Sequence, residues 1–463
     1  MKLERNGMRN SMKKSGLILI GAVAGVMLSL NLSAVAQKEE SASSPLPVQE
    51  LRTFADIFGR IKSDYVDPVS DKTLIDSAIN GMVTGLDPHS AYYDADAYKE
   101  LQIGTEGEFG GLGIEVTMED GLVKVISPIE DTPAFKAGIK SGDLILKLDD
   151  TLVKGMTLND AVKRMRGKPD TPIVLTVLRK GESKPLVFKL MRAVIKVQSV
   201  KYKMVEPGYA YIRITQFQEH TGEALVAAIN TLFKQPVKGL VLDLRNDPGG
   251  LLFGAVAVSA AFLPENSLVV STRGRTPDSE MKLETIPEDY LKPTDKTDYI
   301  KNLPAAVKTV PMIVLVNNGT ASASEIVSGA LQDDKRALIM GTRTFGKGSV
   351  QTIFPLGNGT AVKLTTARYY TPGGRSIQAK GIMPDITVED TTVSSQEASL
   401  NLHESDLEHH LVNEKAGTST QPKVTIKVEP EKTAAPAEPG SKNDYMLGEA
   451  LNVLKGMAIL QKK

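Results

Sequence analysis

Two strand–turn–helix junctions constrain this chain more than any other feature. In the first, the apolar run Leu240-Val241-Leu242-Asp243-Leu244-Arg245 meets Asn246-Asp247-Pro248-Gly249-Gly250, and an apolar stretch of helical length starts at Leu251. In the second, residues 310–316 (VPMIVLV) run into Asn317-Asn318-Gly319. Thr320-Ala321-Ser322-Ala323-Ser324-Glu325 then opens a helix with Ala323, Ile326, Val327, Ala330 and Leu331 on one face. A short apolar run closed by turn residues reads as a buried strand. Strands that alternate with helices predict an α/β layer structure, and this texture extends over residues 193–390.

The flanking segments read differently. Residues 1–36 carry five basic residues and one acid in the first fourteen positions, then an apolar run from Gly16 to Leu32 and Ala34-Val35-Ala36. This pattern predicts a secretory signal peptide, with an uncleaved membrane anchor as the rival reading. Residues 37–99 begin as a polar linker and continue as two amphipathic helices. Leu51, Phe54, Ile57, Phe58 and Ile61 line one, and Leu74, Ile75, Ala78 and Met82 the other. Residues 391–443 are low in apolar content and read as a mostly disordered tail. A last helix over 444–463 places Leu447, Ala450, Leu451, Leu454 and Ala458 on one face, which must dock on the body or on a partner subunit.

Residues 100–192 show short alternating apolar runs punctuated by glycine, the pattern of strands and turns around one or two helices. Near their start, Phe109-Gly110-Gly111-Leu112-Gly113-Ile114 forms a glycine turn feeding a strand. Such a turn can aim successive backbone N–H groups at a carboxylate, and the strand after it can pair with an extended peptide. A plain hairpin is the structural alternative. Together with Ala137-Gly138-Ile139-Lys140-Ser141-Gly142-Asp143-Leu144-Ile145, the segment resembles a PDZ domain. That resemblance implies that Gly111, Leu112, Gly113 and Ile114 bind the C-terminus of a peptide.

Composition limits the chemistry. Among 463 residues there is no Cys and there are five His, while 55 Lys+Arg balance 55 Asp+Glu. A disulfide scaffold, a cysteine nucleophile and Cys-ligated metal sites are excluded. The balanced charge argues against a nucleic-acid partner. No metal or other cofactor is expected, and any chemistry must run without Cys and largely without His.

Ser322 stands where a helix N-terminus favours developing negative charge. Its structural alternative is an N-cap, because Ser322-x-x-Glu325 is a capping box. A serine nucleophile needs a base, and a lysine serves if burial lowers its pKa from about 10.4 toward neutrality. Lys347 lies between Gly346 and Gly348 with Phe345 before it, and a strand over 347–353 would put Lys347, Ser349 and Gln351 on one face. Gln351 would then orient the amine. Gly341 to Lys347 also fits most of a P-loop. However, Gly348 stands where the hydroxyl is required, and a strand-like run follows where a helix is needed. The adjacent Gly249 and Gly250 supply free N–H groups suited to an oxyanion hole, with a tight turn as the alternative.

Taken together, DLRNDPGG (243–250), NNGTASASEI (317–326), TFGKGSVQ (344–351), RYYTPGGRSIQAKGIMPD (368–385) and GLDPHSAYY (85–93) resemble the carboxyl-terminal processing peptidases, or tail-specific proteases. The resemblance implies a crotonase/ClpP-like α/β core with an inserted PDZ domain, and hydrolysis of protein substrates bound by their C-termini. It implies Ser322 as nucleophile, with Ser324 the fallback, Lys347 as base and Gln351 holding it. The oxyanion donors would be Ala323 N–H and that of Gly249 or Gly250. Asp247 departs from the Asn common in the family, and His89 carries no implied catalytic role. A homodimer or higher oligomer, an adaptor protein and residence in the bacterial periplasm are further expectations. Two rivals remain at this stage. One is a non-catalytic peptide-binding scaffold on the same fold. The other is an acyl-handling crotonase-type enzyme, which leaves the PDZ-like segment unexplained.

Overall fold

The computed structural model describes residues 47–389, 403–413 and 438–460, apart from Asp120, Glu130, Asp131 and Lys296. The expected export segment over 1–36 and most of the tail over 391–443 lie outside them. The chain divides into two units, Met1–Ala78 and Ile79–Lys463. In the first, helix Val48–Asp64 carries the expected apolar stripe. Among the described residues none buries it: no residue of this helix is buried, and Leu51, Phe54, Ile57 and Ile61 are exposed. The second expected helix spans Asp71–Thr84.

The centre of the larger unit is a six-stranded sheet in the order Val200–Glu206, Tyr209–Ile214, Gly239–Asp243, Met312–Val316, Leu338–Gly341 and Ile386–Thr387. The first pair is antiparallel, and every later pairing is parallel. Alternation along each strand decides what covers the sheet. Leu240, Leu242, Met312, Val314 and Val316 face one core, which helices Thr221–Leu232, Leu252–Phe262 and Ala323–Asp333 fill from their side. Val241, Ile313 and Leu315 face the other, where helix Tyr445–Leu460 supplies Met446, Leu447, Ala450, Leu451 and Leu454. The last helix therefore docks on the body of its own chain. Arg245 fixes its start, donating to both carboxylate oxygens of Asp444 at 2.9 and 2.6 Å while also gripping Asp243.

A second sheet is built on the long strand Ala361–Tyr370, which pairs with Ala91–Tyr93, Ser349–Pro355 and Leu268–Gly274. The strand predicted over 347–353 starts at Ser349, so Lys347 precedes it in a loop. No helix follows the 341–347 loop, so it lacks the context of a P-loop. Residues 403–413, within the stretch expected to be mostly disordered, pack on this region: Glu404 is fully buried and Asn413 nearly so. Polar composition hid this, because the segment docks by hydrogen bonds rather than by apolar area.

The inserted region has its own core, formed by Leu112, Val123, Val125, Ile145, Leu148, Ile173, Leu175, Val177 and neighbours. Its sheet runs Ile114–Glu119, Leu122–Pro128, Leu144–Leu148, Pro172–Leu178, Leu186–Met191, and the first of these strands is an open edge. The antiparallel pair Glu108–Gly111 and Ala193–Lys196 closes the neck through which the chain enters and leaves.

Leu454 is fully buried between the last helix and the central sheet. Leu454→Ala is expected to lower unfolding stability by about 2–4 kcal/mol, measured by denaturant titration. An effect under about 0.5 kcal/mol would show that the helix does not seal this face in solution.

Candidate active site

Three neighbouring parallel strands, Gly239–Asp243, Met312–Val316 and Leu338–Gly341, end on the same edge of the central sheet. Their following loops bring together the glycine turn, Ser322 and Lys347, at the carboxyl ends of the strands where α/β proteins place their ligands. Ser322 is the residue before helix Ala323–Asp333 and has φ +55° and ψ −115°. A non-glycine residue there is strained, which marks a backbone held by its surroundings. No hydrogen bond of its side chain caps the helix. Ser324, the fallback, is fully buried and donates its hydroxyl to Asp247 O at 3.1 Å, so it is spent on structure.

Glu325 does more than the capping role its position suggests. Its buried carboxylate accepts the N–H groups of Ser322 at 2.9 Å, Gly346 at 2.8 Å and Lys347 at 2.9 Å, and the hydroxyl of Thr344. Burial pushes Glu325 up to about 7, while these four donors pull it back toward the anion. Tyr369 makes a second tether, donating its hydroxyl toward Lys347 O and toward Ser322 O at 3.2 Å. The backbones of Ser322 and Lys347 thus meet on the same two side chains. The links to the Lys347 loop were not legible in the sequence, because they span 19 or more residues and Glu325 already had a local explanation.

The Lys347 amine makes no hydrogen bond or ion pair with any described residue. Burial pushes its pKa down to about 8, and Lys363 adds to this, while Glu404, Glu325 and Asp87 act in the opposite direction. Gln351 is not bonded to it. The Gln351 amide nitrogen donates to Ser349 Oγ at 2.9 Å and Thr365 Oγ1 at 3.2 Å, and Thr365 in turn donates to Asp87. His89 lies nearby in a structural role, its Nε2 2.7 and 2.9 Å from the Glu404 carboxylate oxygens.

The glycine turn packs directly on the serine. A Cβ added at Gly249 would fall 2.7 Å from Ala323 N and 2.9 Å from Ser322 Cβ, and Gly249 has φ +93°. The two glycines are not equivalent as donors. Gly249 N–H is taken by Asp247 Oδ1 at 2.9 Å, and Leu251 N–H by Phe217 O at 2.9 Å. The N–H groups of Gly250 and Ala323 have no partner among the described residues.

In the insert, Gly113 has φ +74°, and a Cβ there would strike Thr132 at 2.3 Å. Gly113 O and Leu112 O accept from Ile129 and Ala134, whereas the N–H groups of Leu112 and Gly113 bond to no described residue. Leu112 is buried in the domain core, so its side chain supports the turn. Gly111 ends the neck strand Glu108–Gly111, and Ile114 begins the open edge strand.

The profile of Peptidase family S41 matches residues 208–388, that of the PDZ domain residues 110–190, and that of the activating protease CtpB N-terminal domain residues 19–97. A carboxy-terminal-processing protease of Bartonella bacilliformis is 46% identical over 439 residues, 94% of this chain and 95% of that one. This chain belongs to peptidase family S41. The carboxy-terminal processing protease CtpA of Bacillus subtilis is 35% identical over 387 residues, 82% of this chain and 78% of that one. Among solved structures, the photosystem II D1 C-terminal processing protease is 31% identical and covers 75% of this chain and 89% of its own, with a TM-score of 0.41. As an S41 member the protein is a serine protease of the carboxyl-terminal processing type, and its PDZ domain binds peptide C-termini. The non-catalytic scaffold and crotonase-type readings are set aside on this membership.

Gly249→Ala is expected to reduce cleavage at least about a hundredfold, because the added methyl enters the space between Ser322 and Ala323 N–H. The same change would cost roughly 1–3 kcal/mol of stability from the positive φ. Peptide turnover and thermal melting check both, and near-normal turnover would show that the turn yields.

Proposed function

We propose that Ser322 is the nucleophile and Lys347 its general base. The N–H groups of Ala323 and Gly250 form the oxyanion hole. The observation that carries this reading is the double tether: Glu325 and Tyr369 each bind the backbones of both Ser322 and Lys347, linking a strained serine to the residue that bears a desolvated amine. Gln351 has its amide nitrogen anchored by Ser349 and Thr365, which leaves its oxygen as the acceptor for the Lys347 amine.

In the reaction, the C-terminal carboxylate of a protein substrate sits at the free N–H groups of Leu112 and Gly113. The residues upstream of it add as a strand to the open edge Ile114–Glu119. At the core, neutral Lys347 takes the Ser322 proton as Oγ attacks the scissile carbonyl. The oxyanion then lies under Ala323 and Gly250, at the positive end of helix Ala323–Asp333. Lys347 hands its proton to the departing amine, and then activates water to release the acyl group from Ser322. A secretory segment over residues 1–36 would deliver the enzyme to the bacterial envelope, where chain ends of exported proteins are its substrates. The uncovered stripe of helix Val48–Asp64 supports self-association, and an adaptor that presents substrates fits the same architecture.

Ser322→Ala is expected to abolish cleavage while leaving the affinity of a fluorescent C-terminal peptide for the PDZ domain unchanged. Persistent cleavage in that variant would sink the nucleophile assignment. The active amine is the deprotonated one, so kcat/KM should climb about tenfold per pH unit between pH 5 and 6.5, well below the Lys347 pKa of about 8. A flat profile across that range would remove Lys347 as the base.

A further inference from the structure

Two acids are buried at the junctions that form the site, and their hydrogen bonding is opposite. The Glu325 carboxylate receives four donors. Asp247 is fully buried as well, yet only its Oδ1 is used, accepting Gly249 N–H at 2.9 Å. Its Oδ2 is buried and has no hydrogen-bond partner of good geometry among the described residues, the Ser324 hydroxyl being the neighbour that favours the anion. A carboxylate left with one bare oxygen in the interior is costly, because nothing replaces the lost hydration of the charge.

The backbone of Asp247 is bound as tightly as its side chain is exposed to this imbalance. Asp247 O accepts Ala321 N–H at 3.0 Å and the Ser324 hydroxyl at 3.1 Å, the two residues that flank the Ser322–Ala323 pair. The side chain orients the one glycine whose Cα packs against Ser322 and Ala323 N. Two charged groups act on it from the central sheet. Arg213 on strand Tyr209–Ile214 favours the anion, and Asp243 at the end of its own strand opposes it. Arg213 is also paired with Asp243 at 3.1 Å, and its Nη1 is itself buried without a hydrogen-bond partner among the described residues. Burial outweighs the Gly249 N–H, the Ser324 hydroxyl and Arg213, which all favour the anion, and pushes Asp247 up to about 7.

We propose that Asp247 is a positioning residue that works only as the neutral acid: its acceptor oxygen sets the glycine turn, and its ionisation shuts the oxyanion hole. The acceptor oxygen holds Gly249 N–H, which turns the next amide, that of Gly250, away from the protein and toward the reacting carbonyl. If Asp247 is ionised, a second negative charge lies beside the place where the oxyanion develops, in a region poor in water where like charges repel strongly. This rests on the reading of Ser322 and Lys347 given above.

The consequence is an unusual pH dependence. The working enzyme needs neutral Lys347, favoured above about 8, together with neutral Asp247, favoured below about 7. Only a minor fraction of molecules satisfies both at any pH, and activity should peak between these values and fall on either side.

The test is kcat/KM against pH from about 5.5 to 9.5 for the full chain, Asp247→Asn and Asp247→Ala, using a peptide with a free C-terminus. Asn keeps the acceptor oxygen and cannot ionise, so its profile should rise to an alkaline plateau and exceed the wild type at pH 9 by at least about tenfold. Ala removes the acceptor and should lose at least about tenfold at every pH. Superimposable wild-type and Asn profiles overturn the proposal. A folded but inactive Asn variant, shown by an unchanged thermal midpoint, overturns it equally, because an ionised carboxylate would then be needed. Should the Asn variant not fold, the wild-type profile decides, since an alkaline plateau with the protein intact excludes an inactivating ionisation. Ser322→Ala measured alongside keeps the two readings apart: cleavage that survives this change indicts the nucleophile and not Asp247.

Discussion

The carboxylate of Glu325 is the interaction on which the candidate catalytic edge depends. It gathers three backbone N–H groups and a hydroxyl from two loops that leave different strands of the central sheet. Each of those N–H groups lies where regular structure offers no acceptor: Ser322 just outside a helix, Gly346 and Lys347 in a loop between strands. A buried donor without an acceptor costs about 1–3 kcal/mol, so one side chain removes three such penalties and fixes two loops against each other. Tyr369 repeats the linkage through carbonyl oxygens from the second sheet.

The larger architecture serves this edge. Parallel strands buried on both faces are stiff, and their aligned ends present the glycine turn, the serine and the lysine loop side by side. The face away from the three-helix layer would be open without the last helix, which the chain supplies from its far end and clamps through Arg245 and Asp444. Recognition is kept apart from chemistry. The PDZ domain has its own core and joins the protease core through the two-stranded neck, with Ile114–Glu119 a terminal strand of its sheet.

Much of this was legible from local patterns. The two junctions were readable because a buried strand, a tight turn and a helix start each leave a short-range signature. The glycine turn of the PDZ domain was readable for the same reason, since Gly113 occupies a positive φ that its neighbours announce. The Ser349 and Thr365 partners of the Gln351 amide nitrogen were not legible, because side-chain direction in a bulged strand depends on its register with Ala361–Tyr370. The docking of Glu404 with His89 and Gln378 left no signature, because its partners lie 315 and 26 residues away in polar sequence.

The sequence by itself determined the elements, the absence of cysteine chemistry and the residue types available for catalysis. Those follow from side-chain chemistry and from periodicities of two and 3.6 residues, which act over a few positions. Only the tertiary structure decided which serine is free, which glycine N–H is spare, how far burial depresses Lys347, and that Asp247 carries a bare buried oxygen. These are properties of dielectric and of hydrogen-bond partners across the fold. They arise only when segments distant in the chain exclude water from the same place.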